Sequence, residues 1–373
     1  MDQQYHTHIE IDLDAILQNV VAIKEHTGKS LIAVLKADAY GHGAIRVADF
    51  LHHQVDMFAV ATVEEANELR DAGITNNILV LFTPLSVYGI PIILNEITTT
   101  VDNLSFAELL STQFSLLKKT MGISKNAKVH VNINTGMNRS GIHKSEVDSF
   151  LNKLKTLPGI EITGVFTHLA TAEEPDKSFS LVQLERFNLA IENVSDDILL
   201  HAANSAATLA IPESHYDAVR PGLSLYGIYP GEERPIPLKP ALTWKAYISW
   251  IEDIEAGEGV SYGLTYKTQT QTRVAGIRVG YGDGYPRALS NCGEVLIGGK
   301  RCPIIGTICM DLIVVKLELS GSYSVGDEAV LIGKQGDEEI SVNDLAEKVH
   351  TIPYEILTRI GKRVRRIYKE SDF

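Results

Sequence analysis

Ser30–Gly43 reads Ser-Leu-Ile-Ala-Val-Leu-Lys-Ala-Asp-Ala-Tyr-Gly-His-Gly. The apolar run ends at Leu35 and leads directly to Lys36, and Tyr40 and two glycines follow soon after. Continuous apolar runs are typical of strands in parallel α/β folds, where the chemistry lies at the carboxyl ends of the strands. Burial there lowers the pKa of a lysine and suits it to form a Schiff base. The alternative is that Lys36 only caps the strand and extends its amine into water.

Strand and helix alternate regularly from this stretch to about residue 230. Eight strand segments are predicted, at about 30–36, 56–61, 77–82, 97–101, 128–133, 161–167, 198–201 and 218–226. Helical segments or short turns separate them. Eight such units predict a closed parallel (β/α)8 barrel of the TIM type, with an open doubly wound sheet as the alternative.

The character of the sequence changes at Pro230–Pro237, which is rich in proline and charge and reads as a linker. Beyond it, short β-rich segments alternate with glycine-containing turns, and strands are predicted at 246–251, 273–279, 294–297, 312–317 and 329–332. Val342–Val349 predicts a helix with Ser341 as its N-cap. We therefore expect an α/β barrel over residues 9–235 and a mainly β C-terminal domain over residues 236–373. We expect residues 1–8 to join the second domain.

Composition narrows the class of protein. Hydrophobic residues make up 45% and charged residues 22% of the 373 residues, as in soluble globular proteins. A net charge of −13 disfavours nucleic acid and anionic membranes as partners. The N-terminus lacks the features of a signal peptide, and three cysteines without a Cys-x-x-Cys pair suggest neither disulfides nor a metal site. These features favour the cytoplasm.

Candidate site residues, most of them polar, follow several predicted strands at the end where barrel enzymes place their active sites. They are Lys36, Tyr40, Arg139, His168, Asn204, Ser205, Arg220, Gly222 and Leu223. Ser205 opens a short helix, and Gly222 allows close approach of backbone amides, so together they suit a phosphate. Taken singly, His168 is better explained as a buried core histidine and Arg220 as a surface ion pair, but the placement of all these residues at one end of the barrel favours a site.

The string Lys36–Gly43 resembles the pyridoxal-phosphate lysine motif of the alanine racemases. Further motifs of that family follow in order: 130–139 (HVNINTGMNR), 167–170 (THLA), 204–207 (NSAA), 217–227 (DAVRPGLSLYG), 260–263 (VSYG), 280–287 (GYGDGYPR), 309–311 (CMD) and 351–355 (TIPYE). The resemblance covers nearly the whole chain. It implies a pyridoxal-phosphate-dependent isomerase that interconverts L- and D-alanine and supplies D-alanine for peptidoglycan.

The resemblance also implies roles for individual residues. Lys36 matches the residue that carries the cofactor as an internal aldimine and then acts as one base, and Tyr262 matches the second base. Arg220 matches the residue that faces the pyridine nitrogen. The remaining cofactor-binding matches are Tyr40, His168, Asn204, Ser205, Gly222, Leu223 and Tyr354.

Arg139 and the backbone of Met310 match contacts to the substrate carboxylate. In the family, Tyr262 and Met310 come from the partner subunit, so the resemblance implies a homodimer with shared active sites. Two positions depart from the family pattern. Asn132 stands where many relatives carry a carbamylated lysine, which suggests a chloride ion beside Asn132 and Arg139, and Thr307 replaces an arginine at the substrate entrance.

Three alternatives remain at this point. A racemase of serine, lysine or broader range could use the same scaffold, since pocket size is not readable from the sequence. An amino-acid decarboxylase could share the barrel and β-domain plan, although the residues matching Arg220 and Tyr262 favour a racemase. A protein that only binds pyridoxal phosphate would leave the second domain unexplained.

Overall fold

The computed structural model describes residues 6–371, which divide into two compact units. One unit comprises Ile16–Lys239, and the other comprises the chain from Pro240 onward together with the N-terminal segment up to Ala15. Of residues 1–8, expected in the second domain, 1–5 lie outside the described part. The strand Thr7–Asp12 belongs to the second unit. Among residues 6–371 no helix has the length and apolarity needed to cross a membrane.

The first unit is built on a closed barrel of eight parallel strands. In chain order, barrel strands one to eight are Ser30–Val34, Met57–Val60, Ile78–Val80, Thr98–Val101, Ala127–Asn134, Ile160–Phe166, Leu199–His201 and Ala218–Val219. Each strand pairs with the next, and strand eight pairs with strand one. The predicted barrel is thus confirmed, and the alternative of an open sheet is wrong because the sheet has no free edge.

Strand eight is shorter than the predicted segment 218–226. Only Ala218–Val219 is extended, and Leu223–Tyr226 forms a 3-10 turn. Pro221 has no N–H to donate to a ladder, which ends the strand. Its carbonyl oxygen still accepts from Val34 N at 3.1 Å. The early end of this strand leaves Arg220 and Gly222 at the barrel rim.

Helices surround the barrel and bury one face each against it. They are Leu13–Thr27, Ala44–Leu51, Val63–Asp71, Gly89–Leu94, Leu104–Met121, Val147–Lys155, Ser178–Ile191 and Ser205–Ala210. In Leu104–Met121 the buried residues recur every three or four positions, as an amphipathic helix requires. A further short strand, Ile142–His143, pairs with strand five.

The second unit is a mainly β structure, as predicted. Its strands are Thr7–Asp12, Leu242–Ile254, Gly259–Val260, Tyr266–Lys267, Thr272–Ile277, Glu294–Ile297, Lys300–Pro303, Ile313–Leu317, Glu328–Gln335, Glu338–Ile340 and Arg365–Lys369. The long strand Leu242–Ile254 pairs with three others, including the N-terminal strand. The helices are Val342–Lys348 and Pro353–Thr358. Ser341 caps the first of them by accepting from Asp344 N at 3.1 Å, which confirms that predicted cap.

Candidate active site

The polar residues of the barrel lie where the strands end. Lys36 and Tyr40 follow strand one, Arg139 follows strand five and His168 follows strand six. Asn204, Ser205, Arg220, Gly222 and Leu223 follow strands seven and eight. Because all eight strands are parallel, these ends form one rim, and the predicted barrel residues share it.

The backbone after Lys36 forms a left-handed turn. Ala37, Asp38, Ala39 and Tyr40 have φ values of 53°, 55°, 52° and 53°. This conformation costs L-residues about 1–2 kcal/mol each, so the surroundings must hold it in place. The side chain of Asp38 contributes by accepting from Ala44 N at 2.8 Å.

Glu65, a residue without a role predicted from the sequence, also supports this turn. Its Oε1 accepts from Ala37 N at 2.6 Å, and its Oε2 accepts from Ala61 N at 2.7 Å and Thr62 N at 3.2 Å. Thr62 and Glu65 form the capping box of the helix Val63–Asp71. The Thr-x-x-Glu pattern could have predicted the cap, but the contact to Ala37 joins residues 28 positions apart.

The environment of Lys36 favours its neutral form. Burial lowers the pKa of its amine below the ordinary value, and the positive charges of Arg139 and Arg220 lower it further. Glu65 opposes them by raising that pKa. A neutral amine is the form that attacks a carbonyl or accepts a proton, so the site suits a reactive lysine.

Arg220 is held rigidly at the rim. It is 4% exposed, and its Nη2 donates to Thr167 O at 2.8 Å and Ala202 O at 3.1 Å. The same nitrogen lies 3.4 Å from His168 Nδ1, and Nη1 lies 2.7 Å from His201 Nδ1. Burial lowers the pKa of Arg220 to about 9, so the guanidinium remains charged near neutrality. The alternative that Arg220 forms a surface ion pair is therefore wrong.

Two histidines without a role predicted from the sequence extend this arrangement into the barrel. A guanidinium only donates, so His201 Nδ1 must accept and its Nε2 carries the proton. His201 Nε2 then donates to His130 Nδ1 at 2.9 Å. Burial and, secondly, the charge of Arg220 lower the pKa of His130 to about 3 and that of His201 well below 6.5. Both rings are therefore neutral and fix the position of Arg220.

Strands seven and eight form a cradle suited to a phosphate. Ser205 Oγ accepts from Gly222 N at 2.8 Å and Ser224 N at 3.3 Å. A Cβ on Gly222 would lie 2.4 Å from Tyr40 Oη, so only glycine leaves this space open. Asn204 caps the helix that Ser205 opens by accepting from Ala207 N at 3.0 Å. Hydroxyls and main-chain amides at a helix start are groups that bind phosphate, so these residues fit pyridoxal phosphate.

Arg139 and Asn132 border a small cavity. The Arg139 guanidinium lies 5.3 Å from the centre of the Phe82 ring, and burial lowers the pKa of Arg139. Asn132 Nδ2 donates to Ser140 Oγ at 3.0 Å. The cavity has a volume of about 10 Å³ and is also lined by His168. Burial, followed by Arg220, Arg139 and Lys36, lowers the pKa of His168 far enough to keep it neutral.

The other predicted site residues lie in the second unit. Tyr262 occupies the short turn Tyr262–Leu264, and its side chain is 73% exposed. Met310 is 53% exposed, and its carbonyl oxygen accepts from Gly282 N at 2.9 Å. Tyr354 lies in the first turn of Pro353–Thr358 and is half-buried. Tyr262 is therefore not buried in the core of its own chain.

Comparisons with known proteins indicate the same family over nearly the whole chain. The alanine racemase N-terminal domain matches residues 11–230 and the C-terminal domain matches residues 241–368. An alanine racemase of Clostridium perfringens is 42% identical over 376 residues, which cover 97% of this chain and 95% of that protein. The crystal structure of alanine racemase from E. faecalis has a TM-score of 0.92 and 32% identity, covering 99% of this chain and 100% of that one. The alanine racemase from Bartonella henselae with covalently bound pyridoxal phosphate has a TM-score of 0.88 and 31% identity, covering 98% and 100%. The chain belongs to the alanine racemase family.

Proposed function

We propose that this protein interconverts L-alanine and D-alanine with pyridoxal phosphate, and so supplies D-alanine for peptidoglycan. The observation that carries the proposal is the barrel rim, where Lys36 of lowered pKa shares one end with buried Arg220 and the cradle at Ser205 and Gly222. An amine, a fixed cation and a phosphate cradle are what this cofactor requires. Membership of the family supports the same reaction.

The reaction needs a base on each face of the substrate α-carbon. Bound pyridoxal phosphate draws electrons from the α-carbon of an attached amino acid and thereby makes its proton removable. We assign Lys36 Nζ to hold the cofactor and then to move the proton on one face. We assign Tyr262 Oη to the other face. Burial and the charge of Arg139 lower the pKa of Lys36, which favours the neutral amine that a base requires.

Arg220 is assigned to the pyridine nitrogen. A guanidinium donates but does not readily accept a proton, so this nitrogen should stay unprotonated. The ring then withdraws electrons less strongly than it would beside an aspartate, which disfavours side reactions such as transamination. Tyr40, Ser205, Gly222, Leu223 and Tyr354 are assigned to the phosphate. His168 and Asn204 complete the cofactor-binding set.

Arg139 and the Met310 backbone are assigned to the substrate carboxylate. We further propose a chloride ion beside Asn132 and Arg139, where the small cavity pairs an amide with a charged guanidinium. Such an ion would help to orient Arg139. Crystals grown in bromide should show an anomalous peak at this cavity, and a structure without that peak would remove the ion from the proposal.

We propose a homodimer in which Tyr262 and Met310 serve the active site of the other subunit. Their exposure in the single chain supports this arrangement. Mixing Lys36→Ala with Tyr262→Phe tests it, because each heterodimer regains one complete site and random exchange should restore about a quarter of the wild-type activity. Once subunit exchange has been demonstrated, an absence of recovered activity would contradict shared sites. We also propose a cytoplasmic location, where the free Cys292, Cys302 and Cys309 would stay reduced.

Proton NMR of L-alanine with the holoenzyme in heavy water, followed by chiral analysis, tests the reaction. Loss of the α-proton signal together with formation of D-alanine is expected. Exchange with serine or lysine but not alanine would keep the chemistry and change the substrate. No exchange with any amino acid would favour a pyridoxal-phosphate-binding protein. Lys36→Ala should abolish the yellow colour, whereas Tyr262→Phe should keep the colour and lose racemisation from L-alanine.

A further inference from the structure

The turn that carries Tyr262 has an unfavourable backbone conformation. Ser261 has a φ of +61° and Leu264 a φ of +46°, and Gly263 between them has a φ of +73°. Left-handed conformations at residues other than glycine are unfavourable and persist only where neighbours enforce them. The side chain of Tyr262 is mostly exposed, so packing of its ring in this chain does not hold the turn.

Thr307 contacts this turn through both its side chain and its backbone. Its Oγ1 donates to Tyr262 O at 2.8 Å and lies 3.2 Å from Thr265 Oγ1. Its carbonyl oxygen accepts from Ser261 Oγ at 2.6 Å. Thr307 is 8% exposed, so water competes little for these hydrogen bonds. One buried residue therefore contacts the turn at three positions.

The hydrogen bonds at Thr307 run in one direction. Tyr262 O can only accept, so the single hydroxyl proton of Thr307 is committed to it. Thr265 must therefore donate to Thr307, and it accepts in turn from Asn291 Nδ2 at 3.0 Å. The orientation of Asn291 is set because its Oδ1 accepts from Gly306 N at 2.6 Å. The chain runs from Asn291 through Thr265 and Thr307 to the carbonyl oxygen of Tyr262.

We propose that Thr307 is a positioning residue that fixes the turn bearing Tyr262 and thereby the placement of the tyrosine base. The inference rests on the proposed function of Tyr262. An arginine at this position could donate to Tyr262 O but could not accept from Thr265, so the chain depends on a hydroxyl. Thr307 is also three residues from Met310, and Ser261 Oγ lies 3.3 Å from Cys309 Sγ. The same loop thus connects the tyrosine turn to the residue assigned to the substrate carboxylate.

Thr307→Val and Thr307→Ser form a matched pair of variants. Valine keeps the branched shape and removes the hydroxyl, whereas serine keeps the hydroxyl. Loss of one hydrogen bond predicts roughly a fivefold lower kcat for Thr307→Val, with Thr307→Ser close to the wild type. Thr272→Val is the control, because Thr272 is also buried and its Oγ1 donates to Thr270 O at 2.8 Å in another part of the same unit.

Isotope effects separate positioning from a general loss of structure. The holoenzyme variants are assayed with α-deuterated L-alanine and α-deuterated D-alanine. If Thr307→Val slows the step that uses Tyr262, the deuterium isotope effect on kcat/KM should rise for α-deuterated L-alanine and fall for α-deuterated D-alanine. Thr272→Val should change the midpoint of urea unfolding without changing either isotope effect.

Unchanged isotope effects in active Thr307→Val would overturn the positioning role while leaving the proposed function intact. No α-proton exchange by the wild type would instead overturn the proposed function and this inference with it. If Thr307→Val does not fold, Thr265→Val replaces it, because that variant keeps the Thr307 hydroxyl and removes the hydrogen bonds that Thr265 makes with Thr307 and Asn291. Thr265→Val should also raise the isotope effect from L-alanine and lower the isotope effect from D-alanine. A shift of both effects in one direction would contradict the inference.

Discussion

Removing the carboxylate of Glu65 should loosen the left-handed turn that follows Lys36. Glu65 Oε1 accepts from Ala37 N at 2.6 Å, at the point where the chain enters that turn. Its Oε2 accepts from two further amides and closes the cap of the helix Val63–Asp71. Glu65→Ala leaves these amides without their acceptor, and the turn loses a contact that opposes its strain.

The magnitude follows from the contacts. Four consecutive left-handed residues store about 4–8 kcal/mol of strain. A hydrogen bond to a charged acceptor contributes about 1.5–3 kcal/mol, and a lost N-terminal cap costs about 1 kcal/mol. Because this region is partly exposed, water replaces part of the loss. Glu65→Ala should therefore lower the free energy of unfolding by about 2–4 kcal/mol.

Glu65→Gln removes the charge and keeps one of the two acceptor oxygens. The amide oxygen of glutamine can accept from Ala37 N, but its NH2 group cannot accept from Ala61 N and Thr62 N, so the loss of stability should be smaller than in Glu65→Ala. The negative charge that raises the pKa of Lys36 is removed, so that pKa should fall in both variants. Glu64→Ala is the control, because Glu64 lies on the same helix but accepts from Tyr88 Oη instead of the turn.

Urea unfolding and titration with pyridoxal phosphate, followed by absorbance, measure the two effects. Glu65→Ala should lower both stability and cofactor affinity, while Glu64→Ala should change neither appreciably. Wild-type stability together with wild-type cofactor affinity in Glu65→Ala would refute the claim that this carboxylate holds the lysine turn.

Three further predictions concern the cofactor cradle, a helix cap and acid stability. Gly222→Ala places a Cβ 2.4 Å from Tyr40 Oη. Overpacking of this kind costs about 1–3 kcal/mol, so the variant should bind pyridoxal phosphate about tenfold more weakly. An unchanged Kd would contradict this expectation. Ser341→Ala removes an N-cap and should lower the free energy of unfolding by about 1 kcal/mol, measured in urea. The folded pKa of His130 is about 3 against an ordinary 6.5, so the unfolded chain binds the proton first. Stability should fall by up to about 1.4 kcal/mol per pH unit from this group as the pH drops below 6.5, and His130→Gln should show a shallower loss between pH 7 and about 5.5.

Most of the fold could be predicted because its elements carry local signals. The strand Glu294–Ile297 has the predicted limits, and the cap at Ser341 follows from its sequence pattern. The prediction lacks five strands of the second unit: Gly259–Val260, Tyr266–Lys267, Lys300–Pro303, Glu338–Ile340 and Arg365–Lys369. The first two are only two residues long. The last three lie at sheet edges and are rich in charged residues, which suit an edge but hide the apolar pattern of a strand. The eighth barrel strand is shorter than predicted because Pro221 lacks the N–H that would continue the ladder, so the strand ends at Val219.

The sequence by itself determined the barrel, the β-rich second unit and the lysine after the first barrel strand, since hydrophobic periodicity and short motifs act locally. Only the tertiary structure decided what holds that lysine and its partners. Alanine residues do not indicate a left-handed turn in the sequence. The hydrogen bond from Ala37 to Glu65 forms only because the two strands before these residues lie side by side. The hydrogen bonds from Arg220 through His201 to His130 join separate strands. The hydrogen bond from Thr307 to Tyr262 O joins residues 45 positions apart. Such contacts depend on distances in space that no local pattern of residues encodes.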